Sequence, residues 1–144
     1  MKLSDFFINS ELCNNLYDSL SLNQKCAALN LMIVFSGSCS GTAEELKKIN
    51  HILSSEVKRM NVTFELVRAS RSQFSGMRGM VDAIKGANRK ALEQIFFVLY
   101  CIVAVGASVE AAHILFNVYG ELGFTEQECI AILEKLTGKK QSDL

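Results

Sequence analysis

The chain has 144 residues, one domain's worth, enough to remove about two-thirds of its unfolded surface from water, so a single core is expected. Its 15 basic and 15 acidic side chains balance, and 49% of its residues are hydrophobic. That excludes a disordered, highly charged chain and a globally basic nucleic-acid binder.

The first ten residues, "MKLSDFFINS", carry one Lys and then a Ser and an Asp, unlike the charged-then-apolar profile of a signal peptide. The longest apolar run, Ile95 to Val105, has 11 residues. It falls well short of the ~20 needed to cross a bilayer and reads as a core helix. The five cysteines, Cys13, Cys26, Cys39, Cys101 and Cys129, are odd in number and widely spaced, without a CxxC pair for zinc or redox chemistry. A reducing, cytoplasmic setting is expected, with most of these thiols acting as small buried hydrophobes. Cys39, in a loop, is the candidate reactive thiol.

Proline is absent, Ser, Thr and Gly punctuate the chain at helix-length intervals, and no alternating run has hairpin spacing. The expected fold is therefore all-α, a single-domain helical bundle of six to eight helices. In chain order, Ser10 is a plausible cap for a helix over 11–19. Ser21 with Gln24, Thr42 with Glu45 and Thr125 with Glu128 each place a hydroxyl three residues before Glu or Gln, the capping-box spacing. Helices should start near 22, 43 and 126. Thr63 and Ser108 suit simple caps for helices over about 64–71 and 109–122, and a long helix should run from about 88 to 105.

Cys26 to Phe35, broken only by Asn30, and Ile95 to Val105 are apolar on nearly every side. A helix of that kind must be surrounded by protein, so these two should pack together at the centre. Asn30 then needs a buried hydrogen-bond partner and should fix helix register. After each buried helix come a small-residue loop and an amphipathic helix: "SGSCSG" then "TAEELKKINHIL", and "VGAS" then "SVEAAHILFNVYGEL". The two copies imply a pseudo-two-fold repeat. The chain divides accordingly into N-terminal helices at 1–20, a first repeat at 21–60, a connection at 61–90, a second repeat at 91–137 and a tail at 138–144.

That order of buried helix, small loop, acidic-start helix, Leu122-Gly123 stop and Thr125-capped helix resembles the TerB-like tellurite-resistance domain. It is similar also to that domain's relative at the N-terminus of a membrane-anchored DnaJ-type co-chaperone. The resemblance covers roughly 26–58 and 92–136. It implies a stress-response interaction domain whose loops read Ala-Asp-Gly ahead of acidic helices and have been taken as a metal site. The matching positions here are Phe35-Ser36-Gly37 and Ala104-Val105-Gly106, so both aspartates are missing. Glu44, Glu45 and Glu110 alone do not supply the convergent oxygens a hard cation requires, and no metal or cofactor is expected.

Catalytic constellations are close to absent. "GSCSGT" lacks the Lys of a phosphate loop and follows a helix-like run. His51 and His113 occupy matching places after each loop but lack the setting of a triad or an HExxH motif. The richer segment is Val67 to Lys90, in which Arg68, Arg71, Arg78, Lys85, Arg89 and Lys90 face a single acid, Asp82, for a local charge of +5. It is expected to meet an acidic protein partner; peripheral contact with anionic lipid is the related option, and aromatic interleaving is too thin for a strong nucleic-acid signal. The function expected is thus a non-enzymatic protein-interaction module. The alternative is a small-anion or metal-ligand binder that uses this segment and the loop positions Gly37, Ser38, Thr42, Gly106 and Ser108 at helix N-termini.

Overall fold

The computed structural model describes residues 17–37 and 41–137. Seven α-helices and no strands occur among the described residues: α1 Leu22–Ser36, α2 Ala43–Arg59, α3 Phe64–Ser70, α4 Gly76–Ile84, α5 Arg89–Gly106, α6 Val109–Glu121 and α7 Glu126–Thr137. A 3₁₀ turn, Arg71–Gln73, continues α3. The Ser10 cap with residues 11–16 of its helix, Cys13, Ser38, Cys39 and the 138–144 tail lie outside the described residues; of the rest of that expected helix, Tyr17 is helical while 18 and 19 form a turn.

Local chemistry sets the helix starts. Ser21 forms both halves of a capping box with Gln24, at 3.1 and 3.0 Å. Thr125 does the same with Glu128, at 3.1 Å each way. The hydroxyls of Thr42, Thr63 and Ser108 accept from the amides of Glu45, Leu66 and Ala111. Each side chain satisfies an amide that has no partner inside its helix. At the other end of α6, Gly123 takes the left-handed conformation at φ 95°, and the Phe124 amide closes back on the Tyr119 carbonyl at 2.9 Å.

The expected centre is present. α1 buries Cys26 through Met32 together with Phe35, α5 buries Gln94 through Leu99 and Cys101 through Val103, and the two helices pack against each other. α2, α6 and α7 cover α5, while α3 and α4 cover α1. α5 emerges at both ends, with Arg89 and Lys90 exposed at its start and, in its last turn, Ala104 exposed and Val105 half-buried. The helix–corner–helix unit occurs twice, as α1–α2 and α5–α6, but the corners differ. The first spans 37–42 and turns at Gly41, φ 84°. The second has only Ala107 and Ser108, and Ala107 itself is left-handed at φ 51°.

An aromatic row joins α5, α6 and the connection between α6 and α7. The Phe96 and Tyr119 rings lie 4.8 Å apart, Tyr119 and Phe124 5.2 Å apart, and the Tyr119 hydroxyl donates to the Leu92 carbonyl at 2.6 Å. A buried phenol needs such an acceptor, and this one pins α6 along α5.

Candidate functional site

The basic segment folds into α3, the 3₁₀ turn, α4 and the start of α5, and its six cations do not stand alike. Arg68 on α3 and Arg71 at the head of the 3₁₀ turn are exposed and form no ion pair among the described residues. The same holds for Lys85, which caps the C-terminal end of α4, and for Lys90 on α5. Arg78 on α4 donates to Glu121 at the end of α6 at 2.7 Å, and Arg89 pairs with Glu128 on α7. The fold therefore brings two acids from α6 and α7 to a segment that holds only Asp82 in its own sequence.

The reason α3 presents its arginines outward lies beneath it. Asn30, 1% exposed on α1, donates through Nδ2 to the Cys26 carbonyl at 2.9 Å, the Val67 carbonyl at 3.1 Å and Ser70 Oγ at 3.3 Å. Ser70 in turn donates to Val67 at 2.8 Å. Val67 and Ser70 thus form the inner side of α3 and leave Arg68 and Arg71 on the outer one. The buried hydrogen-bond partners expected of Asn30 are present, and two of them lie on the helix that carries Arg68.

α4 is anchored in the same sense by apolar burial. Met80, Val81 and Ile84 are buried, and α1 is the helix against which α4 packs most extensively. Arg78, Asp82 and Lys85 remain on the outside, where with Val81 and Glu121 they line a groove of about 250 Å³. Both charge signs line it. The Arg89 guanidinium lies 4.1 Å above the Phe124 ring beside its pairing with Glu128, so it extends the aromatic row rather than standing free. The Thr125 amide, helped by the Thr125 hydroxyl and the Arg89 charge, holds the Glu128 carboxyl below the usual carboxylate range.

The loop positions make no comparable assembly. Gly37 is the αR cap of α1, Ser36 Oγ donates to the Ile33 carbonyl at 2.5 Å, and Gly106 ends α5. Thr42 and Ser108 use their hydroxyls as caps. Glu44 follows Thr42 in the first turn of α2, pairs with Lys48 at 3.5 Å and complements the positive end of that helix. His51 and His113 are both exposed. Among the described residues no group of three or more His, Cys, Asp or Glu side chains could hold a metal ion.

The thiols are deeply placed. Cys26, Cys101 and Cys129 are buried and free, and burial pushes Cys129 up to about 11 and Cys101 well above the ordinary thiol range. Such thiols are poor nucleophiles at neutral pH. No helix among the described residues is long and apolar enough to cross a membrane. Compared with family models, curated proteins and solved structures, the chain matches none.

Proposed function

We propose that this chain is a non-enzymatic interaction module, TerB-like in its order of elements, that presents α3, the 3₁₀ turn and α4 to an acidic protein partner. The observation that carries the reading is the placement of Arg68 and Arg71. Both are exposed, neither is in an ion pair among the described residues, and the helix beneath them is bonded to the central helix through Asn30. A rigid base leaves little backbone ordering to be done on binding, which favours recognition. Arginine is also suited to carboxylates, because its planar fork donates two parallel hydrogen bonds.

Attraction of this kind is screened over about 8–10 Å at ordinary salt, so capture of the partner should weaken as salt rises. The test is a pull-down from the native lysate at low and high salt, with the wild type beside Arg68→Glu/Arg71→Glu. Loss of an acidic partner in the double variant, with an unchanged melting temperature, supports the reading. Retention of the partner with the same salt dependence would move the interaction to another face.

A further inference from the structure

Charge is divided along this chain. Residues 67–90 carry +5, while 91–134 hold Glu93, Glu110, Glu121, Glu126, Glu128 and Glu134 with no Lys or Arg, a local charge of −6. The fold keeps the two sets on different helices, because α3 and α4 lie over α1 whereas α6 and α7 lie over α5. They meet where Arg78 pairs with Glu121 and Arg89 with Glu128. A third arginine, Arg59, pairs with Glu56. Among the described residues, Arg68 and Arg71 are the arginines that one chain leaves without a carboxylate.

Carboxylates are left over as well. Glu110 in the first turn of α6 and Glu126 in the first turn of α7 are exposed and form no ion pair among the described residues. Each set also has exposed apolar side chains beside it. Leu66, two residues from Arg68 on α3, is 38% exposed; Val109, next to Glu110, is 71% exposed, and Ile114, one turn further along α6, is 39% exposed. Opposite charges steer and orient an encounter, and removal of apolar surface from water supplies the driving force that exposed charges lack. The two faces match in both respects, with arginines and a leucine on one, and carboxylates with a valine and an isoleucine on the other.

Resting on the acidic-partner reading, we infer that the partner is a second copy of this chain, whose α6–α7 side with Glu110 and Glu126 lies against Arg68 and Arg71 of the first. The contact is heterologous, one surface of each copy against a different surface of the other. It repeats between chains the arginine–glutamate matching that Arg78 and Arg89 make within one.

The experiment is sedimentation equilibrium of the full chain over a range of protein concentration, at about 0.01 M and about 1 M salt, where charges are screened over about 30 Å and about 3 Å. At low salt the mass should rise with concentration above that of one chain, and at high salt it should fall back towards it. Arg68→Glu/Arg71→Glu and Glu110→Lys/Glu126→Lys should each remain a single chain at low salt, since each sets like charges against each other. An equimolar mixture of the two should associate again, because every contact between them joins opposite charges. Glu110 and Glu126 also face the positive ends of their helices, so Glu110→Gln/Glu126→Gln takes the place of the Lys variant if that does not fold. A wild type that stays a single chain at every concentration, a mass that neither double variant changes, or a mixture that stays unassociated would each overturn the proposal. The first result leaves the acidic-partner reading standing; that reading fails instead if capture from the lysate is untouched by Arg68→Glu/Arg71→Glu.

Discussion

Asn30 and Val67 meet across 37 residues of chain, the side-chain amide of one donating to the carbonyl of the other at 3.1 Å. Two backbone carbonyls surround the amide nitrogen, which fixes the orientation of the group. The oxygen, Oδ1, finds no acceptor's counterpart among the described residues. Replacing Asn30 by Ala removes the bonds to α3 along with that unsatisfied oxygen, so the loss should be moderate, about 1–3 kcal/mol, in a denaturant titration. It should also weaken capture of the acidic partner, because α3 loses its attachment. Stability that falls while capture stays intact would show that the seating of α3 is irrelevant to binding.

Leu31 and Leu99 are both completely buried, one on each central helix. Truncating either to Ala should cost about 2–5 kcal/mol, through lost burial and the cavity left behind. Melting temperatures within a degree of the wild type for both variants would be incompatible with this core.

Arg78 is predicted to behave unlike Arg68 and Arg71. Its pair with Glu121 is exposed, 70% and 53% on the two side chains, and pairs of that kind contribute roughly 0–1 kcal/mol. Arg78→Ala should therefore stay within that range in thermal unfolding. Arg78→Glu should be worse, because it sets two carboxylates against each other. The charge reversal that isolates partner binding is accordingly the Arg68/Arg71 pair, and a variant adding Arg78→Glu should lose stability that the double variant retains.

Ala107, left-handed at φ 51°, turns the second corner with a side chain that resists that conformation by roughly 1–2 kcal/mol. Glycine removes the clash but gains about 0.4–1 kcal/mol of unfolded-state entropy. The net expectation for Ala107→Gly is a gain of about 0.5–1 kcal/mol in chemical denaturation. A loss of stability would place the corner in another conformation.

The sequence was most informative where the controlling chemistry is local. A hydroxyl and a carboxylate or amide three residues apart suffice to start a helix, so α1, α2 and α7 begin beside Ser21, Thr42 and Thr125, as their spacing predicts. The two buried helices were equally plain, because an unbroken apolar surface has nowhere else to go. α4 carries no such local signal at its start. Ser75 supplies no side-chain cap, Gly76 starts the helix at φ 61°, and what stabilises it is the burial of Met80, Val81 and Ile84 far from their sequence neighbours. The same distance hid the partners of the basic residues. Glu121 is 43 positions from Arg78 and Glu128 is 39 from Arg89. No spacing rule spans such intervals, so +5 in the sequence becomes a mixed surface with two exposed arginines on α3 and its 3₁₀ turn.

The division along α4 has an evolutionary corollary. Met80, Val81 and Ile84 carry the contact with the bundle, while Arg78, Asp82 and Lys85 touch the outside. Substitution at the three outer positions should therefore cost the bundle less than substitution at the inner three, charge reversal at Arg78 beside Glu121 excepted. A descendant of this chain could change the charge of this face by rewriting a few codons, with the scaffold inherited unchanged.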